Sequence, residues 1–343
     1  MEYRPLGNSG LEVSQLCLGA MMFGAFGNRD QNEVTTIIHR SQDSGINFID
    51  TAGGYSEGES EEMLGNALGG GRRERMVLAV KYGGPFGDNP HTGASREWTI
   101  ASVEGSLRRL QTDYIDLYQL GVPDPDTDIE ETIVALSDLV DAGKIRAFGA
   151  SKEPASRIVE AQWAATRVGR GRFVSEQPPY SLLTRAIEYD VLPTCQRYDM
   201  GVLSYSALAT GWLSGKYGSA MPPSGPGSAV RARRPGRFDT SDPANAGKLH
   251  AVDALAALAD EAGLTLIQLA IAFVVRHPAV TSAIIGPRTT LHLDGYLAAD
   301  GVELSTDVLD AIDAIVPPGT SVDPSDNMWA VGTRALDAPR RRR

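Results

Sequence analysis

Three ionisable residues sit where the chain's short apolar runs end. The run "INFIDT" (46–51) carries Asp50 at its end, and Tyr55 follows five residues later. The run "MVLAVK" (76–81) closes on Lys81. A lysine closing an apolar strand is expensive to bury unless an anion accompanies it. Asp50 is the natural partner if the two strands are neighbours, because adjacent strand ends lie within a few ångströms of each other. A tyrosine beside such a lysine is expected to have its pKa lowered by the positive charge. That would make Tyr55 a workable general acid near neutral pH. The same spacing also fits a purely structural Asp–Lys pair with a tyrosine on the rim.

The elements that must position these residues follow one rhythm. Strand candidates are 14–19, 46–51, 76–81, 113–120, 144–150, 172–177, 201–206 and 280–286. Helical patterns lie between them at 32–43, 60–68, 97–110, 129–142, 155–168 and 186–198. Two more, at 248–262 and 266–277, precede the last strand, and one at 290–299 follows it. Such alternation means βαβ units and a parallel sheet. Eight units in 343 residues fit a closed (β/α)8 TIM barrel. Runs that are apolar almost throughout fit strands buried on both faces. An open doubly wound sheet is the alternative, but no G-x-G-x-x-G follows any strand. The expected organisation is one barrel over 1–335, with a long Pro/Gly/Arg-rich insert at 219–247 on the strand-end face and a flexible tail at 336–343.

Composition narrows the partners. The net charge of −11 argues against nucleic acid or an anionic membrane. Two distant cysteines, Cys17 and Cys195, argue for a reducing compartment and against disulfide or zinc frameworks. The N-terminus has no apolar signal segment, and the longest apolar stretch, 266–275, is about half the ~20 residues a bilayer span needs. A cytoplasmic protein acting on a small molecule is expected, and its oligomeric state stays open.

The chain resembles the aldo-keto reductases, in particular their bacterial single-barrel branch. The resemblance runs through "YRPLGNSGLEVSQLCLGAMMFG", "GINFIDTAGGYSEGESEEMLGNAL", "SLRRLQTDYIDLYQL", "GKIRAFGAS", "EQPPYSLL" and "AIIGPRTTLHLDGYLAA". It implies a (β/α)8 barrel that binds NADPH and reduces carbonyls by hydride transfer with a catalytic Asp, Tyr, Lys and His. Three of these fall on Asp50, Tyr55 and Lys81. The fourth falls on Gly121, in "YQLGVPDPD", where relatives read "YQLHRPDP". Removing one such donor typically costs ~3 kcal/mol of transition-state stabilisation. It also leaves a hollow, which suits an enone or a bulky ketone. His91, in the loop after the third strand, is a possible surrogate.

The cofactor positions implied by the resemblance begin with Gly19, Ala20, Met21 and Asp50. Ser151, Lys152 and Gln177 stand where relatives hold the nicotinamide carboxamide, with Lys152 in place of an asparagine that both donates and accepts. Tyr205 matches the aromatic stacked on the nicotinamide. Ser206, Leu208, Gly211 and Lys216 match the pyrophosphate segment. Gly286, Arg288, His292 and Tyr296 match the segment gripping the 2′-phosphate and adenine, and the guanidinium fork of Arg288 favours NADPH. Trp212 and the segment 326–332 are expected as pocket walls or as rim packing and a loose tail. The leading expectation is an NADPH-dependent reductase of a carbonyl or an activated C=C, with Tyr55 as proton donor. Two alternatives stand beside it: a redox-neutral lyase or dehydratase using Asp50, Tyr55 and Lys81, and a non-catalytic nicotinamide-binding accessory protein.

Overall fold

The computed structural model describes residues 1–84, 93–217 and 235–327. Each apolar run that closes a βα unit becomes a barrel strand. After an N-terminal hairpin, β1 (Tyr3–Pro5) and β2 (Glu12–Ser14), come β3 (Leu16–Gly19), β4 (Phe48–Ala52), β5 (Val77–Tyr82) and β6 (Ile115–Leu120). β7 (Ile145–Ser151), β8 (Ser175–Gln177), β9 (Gly201–Ser204) and β10 (Ser282–Ile285) complete the set. β3 to β10 close in sequence order, β10 pairing with both β3 and β9, and the barrel pairings are parallel. The fold is therefore a (β/α)8 TIM barrel.

The helices lie outside. They are α1 (Gln31–Asp43), α2 (Glu59–Ala67), α3 (Arg96–Leu110), α4 (Ile129–Asp141), α5 (Ala155–Val168) and α6 (Val191–Arg197). α7 (Ala246–Glu261), α8 (Leu266–Arg276), α9 (Thr290–Leu297) and α10 (Thr306–Ile315) follow. Several start at side-chain caps: Asp30, Ser95, Asp128, Thr289 and Ser305 each accept an amide of the first turn. Thr265 and Gln268 close a reciprocal capping box at α8.

One expected helix is not continuous. The pattern at 186–198 resolves into a 3-10 turn, Ala186–Glu188, and the separate α6. Pro193 is the reason: its ring would clash with the carbonyl four residues back, so it is accommodated only in the first turn of a new helix. Two elements exceed the expectation, namely the β1–β2 hairpin and α10.

Two cores flank the strands. Leu6, Val13, Cys17, Phe48, Ala79, Leu117, Ala147 and Leu203 form a cluster separate from the larger one made with the helices. Val13 and Leu6 come from the hairpin region, so that element seals the N-terminal end of the barrel. Above this plug, alternation along the strands turns Asp50, Lys81, Gln119 and Gln177 toward the C-terminal mouth, where barrel enzymes place their chemistry. Residues 219–234 of the expected insert, His91, Trp329 and the tail at 336–343 lie outside the described residues. Among the described residues no single helix is long and apolar enough to cross a membrane.

Candidate active site

The strand register sets the first contact. β4 and β5 run side by side with Asp50 opposite Ala79 and Ala52 opposite Lys81. Asp50 and Lys81 form an ion pair with side chains only 3% and 9% exposed. Lys81 Nζ also donates to the Thr51 carbonyl at 3.2 Å. The second carboxylate oxygen of Asp50 accepts from Gln177 Nε2 at 2.9 Å and Gln119 Nε2 at 3.3 Å. Every strong donor around Asp50 is therefore directed at it, as a buried carboxylate requires.

Tyr55 comes from the 3-10 turn Tyr55–Gly58 that follows β4. Ser56 and Glu57 hold φ of 50° and 56° there, and Ser56 Oγ bonds the Phe23 carbonyl at 3.1 Å. This turn brings the tyrosine ring to 5.0 Å from Lys81 Nζ. The hydroxyl is not lowered as the sequence suggests. Burial holds it above its ordinary value, and the Lys81 cation pulls it only part of the way back. Burial disfavours the Lys81 cation, but Asp50 and then Tyr55 outweigh it, so the lysine sits above its usual value. At neutral pH the site thus offers a protonated phenol beside a fixed ammonium: a proton source with a charge placed to steady the phenolate that remains.

Gly121 ends this row. Its amide donates to the Tyr82 carbonyl at 2.7 Å. A Cβ built on it would lie 2.9 Å from that carbonyl oxygen and 3.1 Å from the Lys81 Cβ. A side chain at 121 would therefore crowd the Tyr82 carbonyl and Lys81, and glycine lets the ends of β5 and β6 approach this closely.

The expected nucleotide positions gather around the same mouth. The Ala20 amide donates to the Asp50 carbonyl at 2.8 Å. Met21 is half-buried beside it. Gly19 is required by packing, since a Cβ there would meet Ile284 at 2.7 Å. Ser151 is buried and its hydroxyl donates to the Gln177 carbonyl at 2.8 Å. Lys152 is half-buried with φ of 66°. Tyr205, half-buried, lies within electrostatic reach of Tyr55, and burial raises its hydroxyl.

The loop after β9 holds left-handed backbone at Ser206 (59°), Ala209 (48°), Thr210 (59°) and Gly211 (112°). The Ala209 and Gly211 amides donate to the Ser206 and Leu208 carbonyls at 2.7 and 2.8 Å, so the loop is held by its own hydrogen bonds. Leu208 is buried, its carbonyl accepting the Gly211 and Leu213 amides. Lys216 and Arg288 both act on His292, which burial first, and then these two cations, hold below its ordinary value. Tyr296 is held up to about 12 by burial and contacts the Gly286 backbone. Lys216 and Arg288, both close enough to act on His292, suit a phosphate-bearing nucleotide. Trp212 departs from its expected place. It is fully buried and packs on Tyr217 and Phe238 at 4.8 and 6.4 Å, so it forms core and not a pocket wall.

Some residues at the mouth were not singled out from sequence. Gln119 shares Asp50 with Gln177; a lone polar residue in the inward register of "IDLYQL" was the available signal. Glu176 and Glu153 are buried against each other, with the Glu153 amide on Glu176 Oε1 at 3.1 Å. Burial pushes the Glu176 carboxyl well up and the Glu153 carboxyl to about 7.

Comparison with known proteins decides the family. Residues 15–317 match the description "Aldo/keto reductase family". The chain belongs to this family. It is 36% identical over 328 residues to a rice protein named "Probable voltage-gated potassium channel subunit beta", covering 92% of this chain and 97% of that one. It is 35% identical to the "Uncharacterized oxidoreductase YrpG" of Bacillus subtilis, over 96% of this chain and all of the relative. The "Aldo-keto reductase YhdN" of the same bacterium is 34% identical over 90% and 91% of the two chains. The family and these oxidoreductase relatives establish a general oxidoreductase role for this aldo/keto reductase.

Proposed function

We propose that this aldo/keto reductase is a cytoplasmic, NADPH-dependent reductase of a small-molecule carbonyl or activated C=C, with Tyr55 as the proton donor. One observation carries the reading: the Asp50–Lys81 pair, locked by two glutamine amides, lies directly beside the Tyr55 ring at the open end of the barrel. A merely structural ion pair has no need of a protonated phenol held over its cation. When bound, NADPH supplies the hydride. The residues that would hold it are Ser206, Leu208, Gly211 and Lys216 for the pyrophosphate, and Gly286, Arg288, His292 and Tyr296 for the adenosine phosphate and adenine. Ser151, Gln177 and Tyr205 would border the nicotinamide. Tyr55 gives its proton to the substrate oxygen as charge develops there, and Lys81 stabilises the phenolate left behind.

Fluorescence titration with NADPH and NADH tests the cofactor, and Tyr55→Phe tests the acid. NADPH-selective binding is expected, and the Phe variant should lose at least ~10³-fold in kcat while its NADPH affinity stays within a factor of two or so. Retention of most of the rate would remove Tyr55 from its role. Two features favour a second reading, an accessory nicotinamide-binding protein: the missing side chain at Gly121 and the relatives named as channel subunits. NADPH binding without turnover of any carbonyl or enone would select it.

A further inference from the structure

A polar row crosses the barrel just above its apolar plug. Lys81 on β5 stands opposite Gln119 on β6, and Gln119 stands opposite Gly149 on β7. One step back from the Ala150–Glu176 pairing, the same register sets Gly149 opposite Ser175 on β8. Two positions earlier on β5, β6 and β7 lie Ala79, Leu117 and Ala147, all members of the inner apolar cluster. Alternation therefore turns Lys81, Gln119 and Gly149 into the same lumen, one layer nearer the mouth. Gln119 and Ser175 are fully buried there.

The row fixes one amide. Gln119 Nε2 donates to Asp50 Oδ2 at 3.3 Å, and Gln119 Oε1 accepts from Ser175 Oγ at 3.5 Å. The serine reaches the glutamine across Gly149. A Cβ at 149 would overlap Ser175 Oγ and lie 2.9 Å from the Ser175 carbonyl oxygen. Glycine on β7 is thus what lets a side chain of β8 meet one of β6. A flipped amide would set its oxygen against the Asp50 carboxylate. The serine hydroxyl occupies the oxygen end and keeps the donor end on Asp50.

Asp50 divides its two oxygens. Oδ1 faces Lys81 Nζ, and Oδ2 takes the amides of Gln119 and Gln177. Lys81 serves two anions in turn: Asp50 before the proton moves, and the Tyr55 phenolate, whose ring lies 5.0 Å away, after it. The more of the carboxylate's charge is met by neutral donors, the less tightly Asp50 holds the ammonium when the phenolate forms.

We propose that Gln119, oriented by Ser175 across Gly149, is a positioning residue for proton transfer: its amide holds Asp50 so that Lys81 can follow the charge that develops on Tyr55. This rests on the reductase reading above. Being fully buried, Gln119 touches neither substrate nor cofactor, so its loss slows the chemical step and leaves binding as it was.

Single-turnover reduction of benzaldehyde, followed by NADPH absorbance, reads that step. Gln119→Leu keeps the bulk of the side chain and removes the donor. Its rate should fall about tenfold, the effect of one hydrogen bond to a charged group. The steady-state KM and the NADPH affinity from fluorescence titration should stay within a factor of about two. Gln119→Glu is the conservative rescue: its protonated acid donates to Asp50 as the amide does, and its ionised form repels Asp50. The rate of the Glu variant relative to the unmodified protein should approach unity at about pH 6 and fall below that of the Leu variant by about pH 9, while the Leu ratio stays level. Ser175→Ala should lower the rate about threefold alone and little further in the Leu background, because it acts through the amide.

A Leu variant as fast as the unmodified protein overturns the proposal. So does a Leu variant whose loss lies in KM or NADPH affinity, or a Glu ratio that is level with pH. A serine effect of equal size in both backgrounds overturns the orienting role of Ser175. No turnover of benzaldehyde or of any other carbonyl or enone by the unmodified protein would sink the reductase reading itself.

Discussion

Replacing Asp50 by asparagine strands the Lys81 ammonium. That group is 9% exposed, and its remaining partners in the native arrangement are the Thr51 carbonyl at 3.2 Å and the Tyr55 hydroxyl. Burial alone disfavours its charged form, so without the carboxylate it folds as a neutral amine. An unfolded lysine titrates near 10.4, at 1.36 kcal/mol per pH unit, so withholding the proton costs about 5 kcal/mol at pH 7 and about 2 kcal/mol at pH 9. The sign follows from linkage: in the variant the unfolded chain binds the extra proton, so stability rises with pH. In the unmodified protein the folded value lies above the unfolded one, so the lysine's contribution is already complete below pH 10 and changes little from 7 to 9.

Lys81→Met removes the other partner but leaves Asp50 its two amide donors, at 2.9 and 3.3 Å. Its loss should lie near the lower end of the ~3–5 kcal/mol range for breaking a buried pair, and should not shrink as pH rises. Urea unfolding at pH 7, 8 and 9, followed by tryptophan fluorescence, measures both variants. The reasoning is refuted if the Asp50→Asn deficit is flat across this range, or if Lys81→Met is the more damaging change at pH 7.

Glu153 is buried, with its carboxyl raised to about 7, so its contribution is present below the unfolded value near 4.3 and is lost as pH rises through 7. Glu153→Gln should stabilise the protein by roughly 2–3 kcal/mol at pH 8 and by much less at pH 5, read from urea midpoints. Lys248 is buried 2.6 Å from Asp323 and 3.0 Å from Asp326. Lys248→Met should cost about 3 kcal/mol in the same assay, because Asp323 loses its cation while Asp326 keeps Arg237 at 2.5 Å. Gly121→His must move the Tyr82 carbonyl out of a 2.9 Å contact, which should cost ~1–3 kcal/mol of stability. Its kcat/KM for small aldehydes should nevertheless rise, and that for a bulky ketone should fall, in steady-state assays with NADPH.

Much of the barrel was legible in the sequence because a strand buried on both faces must be apolar nearly throughout. Most of the barrel strands announce themselves this way; β8, made of Ser175, Glu176 and Gln177, has no apolar side chain and follows only from its place in the alternation. The β1–β2 hairpin does not, because its strands are three residues each and half exposed. α10 was legible but passed over: Ser305 is its cap, and Val308, Ile312 and Ile315 form its apolar face. Asp50 and Lys81 could be paired from strand order alone, since register follows from sequence once the barrel is accepted. The direction of the Tyr55 shift could not, because a neighbouring charge can be read from spacing whereas burial depends on what covers the ring. Glu176 is the same case. In a linear chain it looks like a surface acid, and only the packed layer around it pushes its carboxyl up.

The two departures at Gly121 and Lys152 are best understood together. Either substitution alone reads as damage: one removes a donor from the mouth, and the other places a donor-only cation where an amide would both give and accept. Register removes their independence, because the ends of β6 and β7 are adjacent, with Gly121 one step from the residue that precedes Lys152. An imidazole would be largely neutral at neutral pH and would serve a carbonyl oxygen. An ammonium brings a full charge, and Asp50 is too committed to Lys81, Gln119 and Gln177 to neutralise it.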